Sequence, residues 1–588
     1  MKSNYILVAG IAAALTLSLA SCGDDFLTKS PQGVLDKETM ASATGVDLMT
    51  TAAYATLAAP VDGFDPYQAS PFNWVWGGIY GGDANKGTEP GDQSVVNEIE
   101  LYNTLPTNGY LDQKWGWIYN ASKRINFALS GLLAAEDIPE ATVKARKGEL
   151  KFLRALVYLE GMRVFGPYIP YVDETNPEND PKMHNDRDIS SSVLADIDDA
   201  IANLPDVQPE VGRANLWAAK ALKAKILMYL KKTEEAKPIL ADVLANGKTN
   251  KGEAYALEDD LDNNFNALTE NGKESIFAVQ YSNAAQNMGG AMFCLAYPHG
   301  SGPGGCCGFY QPSYELANSF QVDENGLPYL NGEYRTNGKT VSKAGEGEKD
   351  PVGIPDLTIA VDPRLDFAIG RHGIPYKDWG FPDNSWVRNP VNGGIFMPKK
   401  HVFSKAEEAA GMKALFNGWA PGSAMNIQYL SVRDLKLLYA ECLANAGDLA
   451  GAMAQVNDIR RRAALDCNIV RLEDGTPAAN YKIAEYPTSH AAFSNKDVCI
   501  KAIRMERKLE LAMEGERWFD LVRWGGDYMS AELKAYTNYE QKYIPKFAAA
   551  SVLAPSRTML PIPDNQIMTM GNDPETGTPY LVQPDPWK

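Results

Sequence analysis

A mainly α-helical fold, built from helical hairpins with long irregular loop insertions and minor β-structure, follows from three observations in the sequence. Apolar residues recur every three or four positions over several stretches of helix length. Two of these stretches repeat one another far apart in the chain. Between about residues 283 and 431 the regularity gives way to Gly, Pro, Asn and aromatic residues, a length that is uncommon for a structureless connection and more often functional. The chain has 588 residues, 45% hydrophobic and 22% charged, which suits a soluble globular protein and excludes disorder, collagen and a multispan membrane protein. Its 56 Lys plus Arg stand against 74 Asp plus Glu, a formal charge of −18 that repels phosphate backbones, so no nucleic-acid partner is expected.

Taken in order, the elements begin with a leader. Lys2 precedes an apolar run from Tyr5 to Ala20, about right for a signal-peptide core and too short for a stable spanning helix. The run ends in Leu19-Ala20-Ser21-Cys22, the pattern of lipoprotein processing, so residues 1–21 are expected to be removed and Cys22 to carry the lipid. Gly23-Asp24-Asp25 then opens a tether. Residues 22–588 are expected to form a single domain. Its helical scaffold falls at about 40–60, 112–247 and 431–525, its loop-rich ligand-binding lobe at about 61–111 and 248–430, and an irregular C-terminal segment at 526–588.

Within the scaffold, the spacing predicts helices over 112–133, 142–165, 190–204, 214–230 and 234–245, with breaks at Pro205, Pro209 and Gly247. Helical spacing returns from Val432 to Ala464 with one Gly-Asp interruption, and a last long helix is predicted over about 497–522. Ala224, Leu227, Thr233, Ala236, Leu240 and Val243 recur as Ala440, Leu443, Leu449, Ala452, Val456 and Ile459. Small residues at the crossing points, a short turn and a returning amphipathic helix are the logic of a tetratricopeptide hairpin. The distance between the copies predicts a split scaffold rather than one uninterrupted solenoid. Beyond Cys22, six cysteines are too sparse for a disulfide framework and have no zinc spacing; adjacent Cys306 and Cys307 are either a vicinal disulfide or a pair of thiols.

Several strings occur together and in order: Phe152-Leu153-Arg154-Ala155 leading to Phe165-Gly166-Pro167, Tyr439-Ala440-Glu441 running to Asn457-Asp458-Ile459-Arg460, Glu506-Arg507-Lys508-Leu509-Glu510-Leu511, Gly515-Glu516-Arg517-Trp518-Phe519-Asp520-Leu521-Val522-Arg523-Trp524-Gly525, and Leu560-Pro561-Ile562-Pro563. With the Cys22 motif and Asp24-Asp25, they resemble the SusD/RagB nutrient-uptake lipoproteins of Bacteroidota over most of the chain. The resemblance implies a SusD-like α/α superhelix and an outer-membrane, lipid-anchored, extracellular protein. Such a protein binds glycan over a SusC-like TonB-dependent transporter and delivers oligosaccharide to it. From the residues alone, Glu506, Glu510 and Glu514 alternate with Arg507, Lys508 and Arg517 and read as helix-face ion pairs worth about 0.2–0.5 kcal/mol each. Trp518, Phe519, Leu521 and Trp524 read as core.

Signals for catalysis fail. A glycosidase needs two carboxyl groups about 5–10 Å apart in a cleft, which a helix-borne charge lattice does not supply. The glycine run 300–305 carries Pro303 where a phosphate-binding turn would have to form. The five histidines have no metal spacing, and Asp260, Asp262, Asn264 and Asn266 place Phe265 where a calcium loop needs Gly. No catalytic residue, cofactor or metal is therefore expected.

Sugar rings pack a C–H face on an aromatic ring while their hydroxyls pair with polar groups, so loop aromatics beside Asn, Asp, Arg or His mark the candidates. These are Trp74, Trp76, Tyr80, Asp83 and Asn85 in the early loop, and Arg371, Trp379 and Trp386 in the later one, with Tyr297, His299 and Tyr310 as a further platform. In the resembling starch binder, one early-loop Trp combines with aromatics of two later loops. Trp76 stands at the first place, but Met288 and the Gly305-Cys306 region stand at the others, which argues against starch. The expected function is non-catalytic glycan capture and delivery to the transporter. The alternatives are a lipid-anchored peptide- or protein-binding uptake subunit or, less favoured, a glycoside hydrolase.

Overall fold

The computed structural model describes residues 41–58, 66–69, 71–136, 138–176, 182–283, 295–345, 353–416 and 420–588. The leader, Cys22, Met288 and Trp419 lie outside them. Eleven helices of eight or more residues carry the scaffold among the described residues: α1 Ala43–Ala58, α2 Gly109–Leu133, α3 Glu140–Phe165, α4 Ser190–Asn203, α5 Leu216–Tyr229, α6 Thr233–Asn246, α7 Val432–Asn445, α8 Leu449–Ala463, α9 Lys496–Glu510, α10 Arg517–Trp524 and α11 Gly526–Glu540.

Local chemistry sets several ends. Asn108, Asn215, Ser431, Asp448 and Asn495 each cap a helix by accepting a backbone N–H of its first turn, which satisfies donors that have no partner inside the helix. Gly166, at φ +80°, ends α3 in a backbone conformation that other residues adopt only at a cost. From Gly148 to Phe165 every side of α3 is buried, so this helix is the axis of the core.

Each helix from α1 to α7 packs on the next, and α7 packs on both α8 and α9. The two sequence repeats, α5–α6 and α7–α8, are therefore neighbours: α6 lies against α7. Ala224, Ala236, Ala440 and Ala452 are all fully buried at these crossings, and the turns correspond closely, with Lys231 and Gly447 both in the left-handed region. The scaffold is one continuous stack, not the split one expected. What the sequence separates, the fold rejoins: the chain leaves after α6 through strand Ser275–Val279 and returns through Ile427–Ser431, and these pair antiparallel at the neck of the insertion.

The other strands are short. Numbered along the chain they are β1 Ala84–Lys86, β2 Ser275–Val279, β3 Tyr310–Pro312, β4 Ser342–Lys343, β5 Ile354–Pro355, β6 Ile369–Gly370, β7 Met397–Pro398, β8 Lys413–Phe416, β9 Ala420–Ser423 and β10 Ile427–Ser431. They form antiparallel pairs β1–β3, β2–β10, β4–β5, β6–β7 and β8–β9. The β1–β3 pair joins the early loop to the inserted lobe. The segment after residue 525, expected to be irregular, contains α11, which buries Met529, Leu533, Tyr536, Thr537 and Glu540. A glutamate and a threonine on the buried face hide that period from a hydrophobicity reading.

The charges of α9 do not form helix-face pairs. Glu506 accepts from Arg460 and pairs with Arg364; Glu510 accepts from Arg364 and Arg462; Arg507 donates to Asp434 and Asp520; Lys508 donates to Glu315. All are buried, and the partners come from five other segments. Glu514 closes the lattice on Arg433 and Lys400; these two cations hold its carboxyl down to about 2 although burial opposes them. The lattice ties the insertion, through Glu274, Glu315, Asp362, Arg364 and Lys400, to the scaffold.

Candidate ligand-binding face

The early loop turns inward. Residues Trp74–Ile79 form a wide helical turn with every side chain buried. Trp74 donates its Nε1–H to Tyr67 O (2.5 Å) and sets its ring edge-on to Tyr310, while Trp76, 1% exposed, donates to Gln68 O (3.3 Å). Gly77 allows this close approach, since a Cβ there would lie 1.6 Å from the Gly515 carbonyl oxygen. Tyr80 packs edge-on to Trp518, with ring centroids 4.5 Å apart. Asn85 donates to Glu540 (2.9 Å) and accepts from Tyr536 (2.7 Å). The Asp83 carboxyl accepts a long bond from the Met513 N–H (3.3 Å), and burial pushes it up to about 7.

These residues were expected on a binding surface, and the structure corrects that for Trp74, Trp76, Tyr80, Asp83, Asn85 and Tyr310. Their polar ends meet the chain's own backbone and core. Arg371 is corrected likewise: it forms a bidentate pair with Asp366 (2.7 and 2.6 Å) and is almost wholly buried. Tyr297 is buried against Phe403. Among the described indoles expected in the core, Trp115, Trp117, Trp217 and Trp518 are buried and Trp524 is half-buried.

Two loops of the insertion meet at the surface. The His299 N–H donates to Trp386 O (2.9 Å), and the imidazole Nδ1 lies 3.1 Å from Ser385 O. Ser301 bonds to both Asp383 and Ser385 and accepts from the Trp386 indole (3.1 Å). Asp383 holds its own turn by accepting the Ser385 N–H (2.7 Å), and the bonds from Ser301 and Ser385 hold its carboxyl below the usual range. Trp386 is buried edge-on to Tyr376, so it braces the junction rather than facing solvent. Trp379 is half-buried, its Nε1–H donated to Phe403 O (2.9 Å) with Lys405 over its ring.

Between them Phe381 is 53% exposed. The sequence reading passed over Phe381 and Ser301; Gly380-Phe381-Pro382 was the available signal, since a Gly-X-Pro turn holds X extended and away from the chain. Cys306 and Cys307 are joined by a disulfide in the same loop. Of the expected residues, the structure thus brings His299 and Trp386 together at the Ser301–Asp383 junction, with Trp379 earlier in the second loop.

The supposed calcium oxygens serve the fold. Asp260 accepts the Asp262 N–H, Asp262 accepts from Asn266, and Phe265 is buried against His401. No group of three or more metal-ligating side chains occurs among the described residues, and none of their helices is long and apolar enough to cross a membrane.

A family model described as the SusD family matches residues 273–574, more than half of the chain. The chain belongs to the SusD family. A second model, described as starch-binding associating with outer membrane, matches residues 80–230. A SusD-like protein of Bacteroides ovatus is 22% identical over 548 residues, covering 89% of this chain and 83% of its own. SusD-like protein P38 of Formosa agariphila is 25% identical over 481 residues, 79% and 82% of the two chains. Among solved structures, surface glycan-binding protein A of Bacteroides thetaiotaomicron in complex with laminarihexaose superimposes with a TM-score of 0.64 at 18% identity, covering 92% of this chain and 99% of that one. A laminarin binding SusD-like protein gives 0.59 at 20% identity, with the same coverage. The SusD fold is thereby shown, as is the mainly helical architecture.

Proposed function

We propose that this SusD-family chain is a surface glycan-binding protein without turnover of its own, and that it captures oligosaccharide on the face built by His299, Ser301, Trp379, Phe381 and Asp383. The observation that carries the reading is the exposed Phe381 ring in the loop that runs from half-buried Trp379 to Asp383, whose carboxyl is bonded to Ser301 of a second loop braced by Trp386. An aromatic face bordered by polar groups matches the two faces of a sugar ring. Relatives whose names record laminarin and laminarihexaose support the ligand class. Asp383, held ionised by its two serines, is a hydrogen-bond acceptor for hydroxyls and a poor proton donor. Asp378 uses both oxygens to accept the Lys405 and Ala406 N–H groups, which supports binding rather than hydrolysis.

A glycan array read together with reducing-sugar release tests this. Expected are saturable binding to one glycan class, no released ends, and about 1–2 kcal/mol weaker binding in Phe381→Ala with an unchanged melting temperature. Release of reducing ends, or full affinity in Phe381→Ala, would overturn it. Delivery to a SusC-like transporter and anchoring to the outer membrane at Cys22 belong to the same proposal. Cys22→Ala is expected to move the protein to the soluble fraction, because stable anchoring requires more than one acyl chain and the variant has none. A Cys22→Ala protein that still pellets with membranes from cells lacking the transporter sinks the anchoring claim.

A further inference from the structure

Buried arginines in this protein almost always donate to a carboxylate: Arg154 to Asp196, Arg163 to Glu160, Arg364 to Asp362, Arg371 to Asp366, Arg433 to Glu514, Arg460 to Glu506, Arg462 to Glu510 and Arg507 to Asp520. Buried Arg517 and half-buried Arg504 depart from that pattern. Arg517 is 9% exposed, yet its closest carboxylate, Glu532, is 3.7 Å away, beyond hydrogen-bond distance. Arg504 has no carboxylate within ion-pair distance, and its Nε–H is buried without an acceptor. Arg433 and Arg462 also bury an Nε–H without an acceptor, but each spends its other N–H groups on carboxylates, which Arg504 does not, and an under-used charged donor favours an added acceptor.

Both guanidiniums border one pocket of about 220 Å³ on the outer side of α9, away from the His299–Asp383 loops. The wall also includes Tyr334, Arg335, Lys501, Lys508, Tyr528 and one carboxylate, Glu532. The Arg504 guanidinium lies over the rings of Tyr528 (4.1 Å) and Trp524 (5.0 Å), and that of Arg517 over Trp524 (5.7 Å). A guanidinium packed on aromatic rings still presents a planar set of N–H donors, the geometry that matches carboxylate, sulfate or phosphate oxygens. The remaining cations are already placed. Arg335 donates to Glu315 and Glu532, Lys508 donates to Glu315, and Lys501 donates to Asn331 at the mouth. Glu333 lies near Lys501, and Asp83, behind the pocket, feels Arg517 and Lys508. These carboxylates balance Arg335, Lys508 and Lys501; Arg504 is left with a hydrogen bond to the Tyr528 hydroxyl, and Arg517 with the 3.7 Å approach of Glu532.

We propose that this pocket is an oxyanion-binding site, in which Arg504 and Arg517 take a sulfate, phosphate or carboxylate group and Lys501 guards the entrance. Its volume is below the range of drug-sized ligand pockets, so the occupant is a free anion or a single anionic sugar unit. The site stands independently of the glycan reading. Calorimetric titration of the purified full chain with sodium sulfate, sodium phosphate and glucuronate, at ionic strength matched with sodium chloride, tests it. Saturable binding of at least one probe is expected, weakened at least tenfold in Arg504→Gln and less in Lys501→Gln. Saturation by the inorganic anions alone assigns a free ion, and stronger binding of glucuronate assigns a sugar-borne carboxylate. Because Arg504→Gln also removes a stacking cation, its melting curve without anion is compared first; Lys501→Gln, at the exposed mouth, provides the second variant. No saturable binding of any probe beyond chloride, or equal affinities in wild type and both variants, overturns the site.

Discussion

At Trp76 the indole is enclosed and its N–H is committed to Gln68, so truncation leaves a cavity under the β1–β3 junction instead of a bare patch of surface. Trp76→Ala is expected to cost about 3–5 kcal/mol of stability, with ligand affinity retained in the folded fraction. Urea denaturation beside a ligand titration checks it; an unshifted midpoint with lost affinity would falsify the assignment of this ring to the core. Asp83, a few residues on, makes the interior sensitive to pH. Its carboxyl goes from an ordinary 3.8 to about 7 on burial, so the folded state holds a proton that the unfolded chain has lost. The stability this contributes is fully present below about pH 4 and is lost as pH rises to about 7. His401, held down to about 3 by burial, slopes the opposite way between its folded and ordinary values, so the test is a difference. The melting temperature of Asp83→Asn relative to wild type is expected to rise between pH 4.5 and 7.5; a difference that stays constant with pH would show that Asp83 does not titrate in this window. Residue types told where aromatics and polar groups meet, but the same pairing serves a core as well as a surface. Only the turn chemistry of Gly380-Phe381-Pro382 separates the two, which is why Phe381 was passed over and Trp76 was favoured.

At the scale of an element, α9 is amphipathic in an unusual sense: its inward face carries Glu506, Arg507, Lys508 and Glu510. Charges at helical spacing read as solvated pairs along one helix, and nothing local signals that Arg364, Arg460 and Arg462 arrive from elsewhere to meet them. Magnitudes separate the two situations. Removing a solvated pair costs about 0.5 kcal/mol at most, whereas stripping one partner from a buried pair costs about 3–5 kcal/mol because a charge stays behind uncompensated. Glu510→Gln is expected near the lower end, about 3 kcal/mol, since Arg364 keeps Asp362 and Glu506 while Arg462 keeps Glu274. Guanidinium denaturation is unsuitable where ion pairs are at issue, so urea midpoints are compared. A loss no larger than that of a surface pair would mean that water reaches the lattice. The α5–α6 and α7–α8 hairpins, by contrast, were legible, because Ala at a helix crossing is a steric requirement written in the residue itself.

For the whole molecule, the consequence of the β2–β10 neck is that the long insertion interrupts the chain but not the stack, with α6 still seated on α7. That adjacency was invisible in sequence, since an apolar run such as Ser275–Val279 does not name its strand partner. Chains of this size commonly unfold in stages, domain by domain. Here the segments that would separate are joined by the buried lattice: Glu274, Glu315, Arg364 and Lys400 of the insertion cannot leave Arg433, Arg462, Lys508, Glu510 and Glu514 of the scaffold without stranding charges on both sides. Loss of the lobe alone therefore carries the cost of several uncompensated ions, while joint unfolding exposes all of them to water together. Calorimetry of the full chain is expected to give one endotherm whose calorimetric and van't Hoff enthalpies agree, and Glu514→Gln is expected to lower that single transition without dividing it. Two resolved transitions in the wild type, or limited proteolysis that removes residues 247–431 while leaving a folded helical stack, would show that the lattice is too weak to couple them.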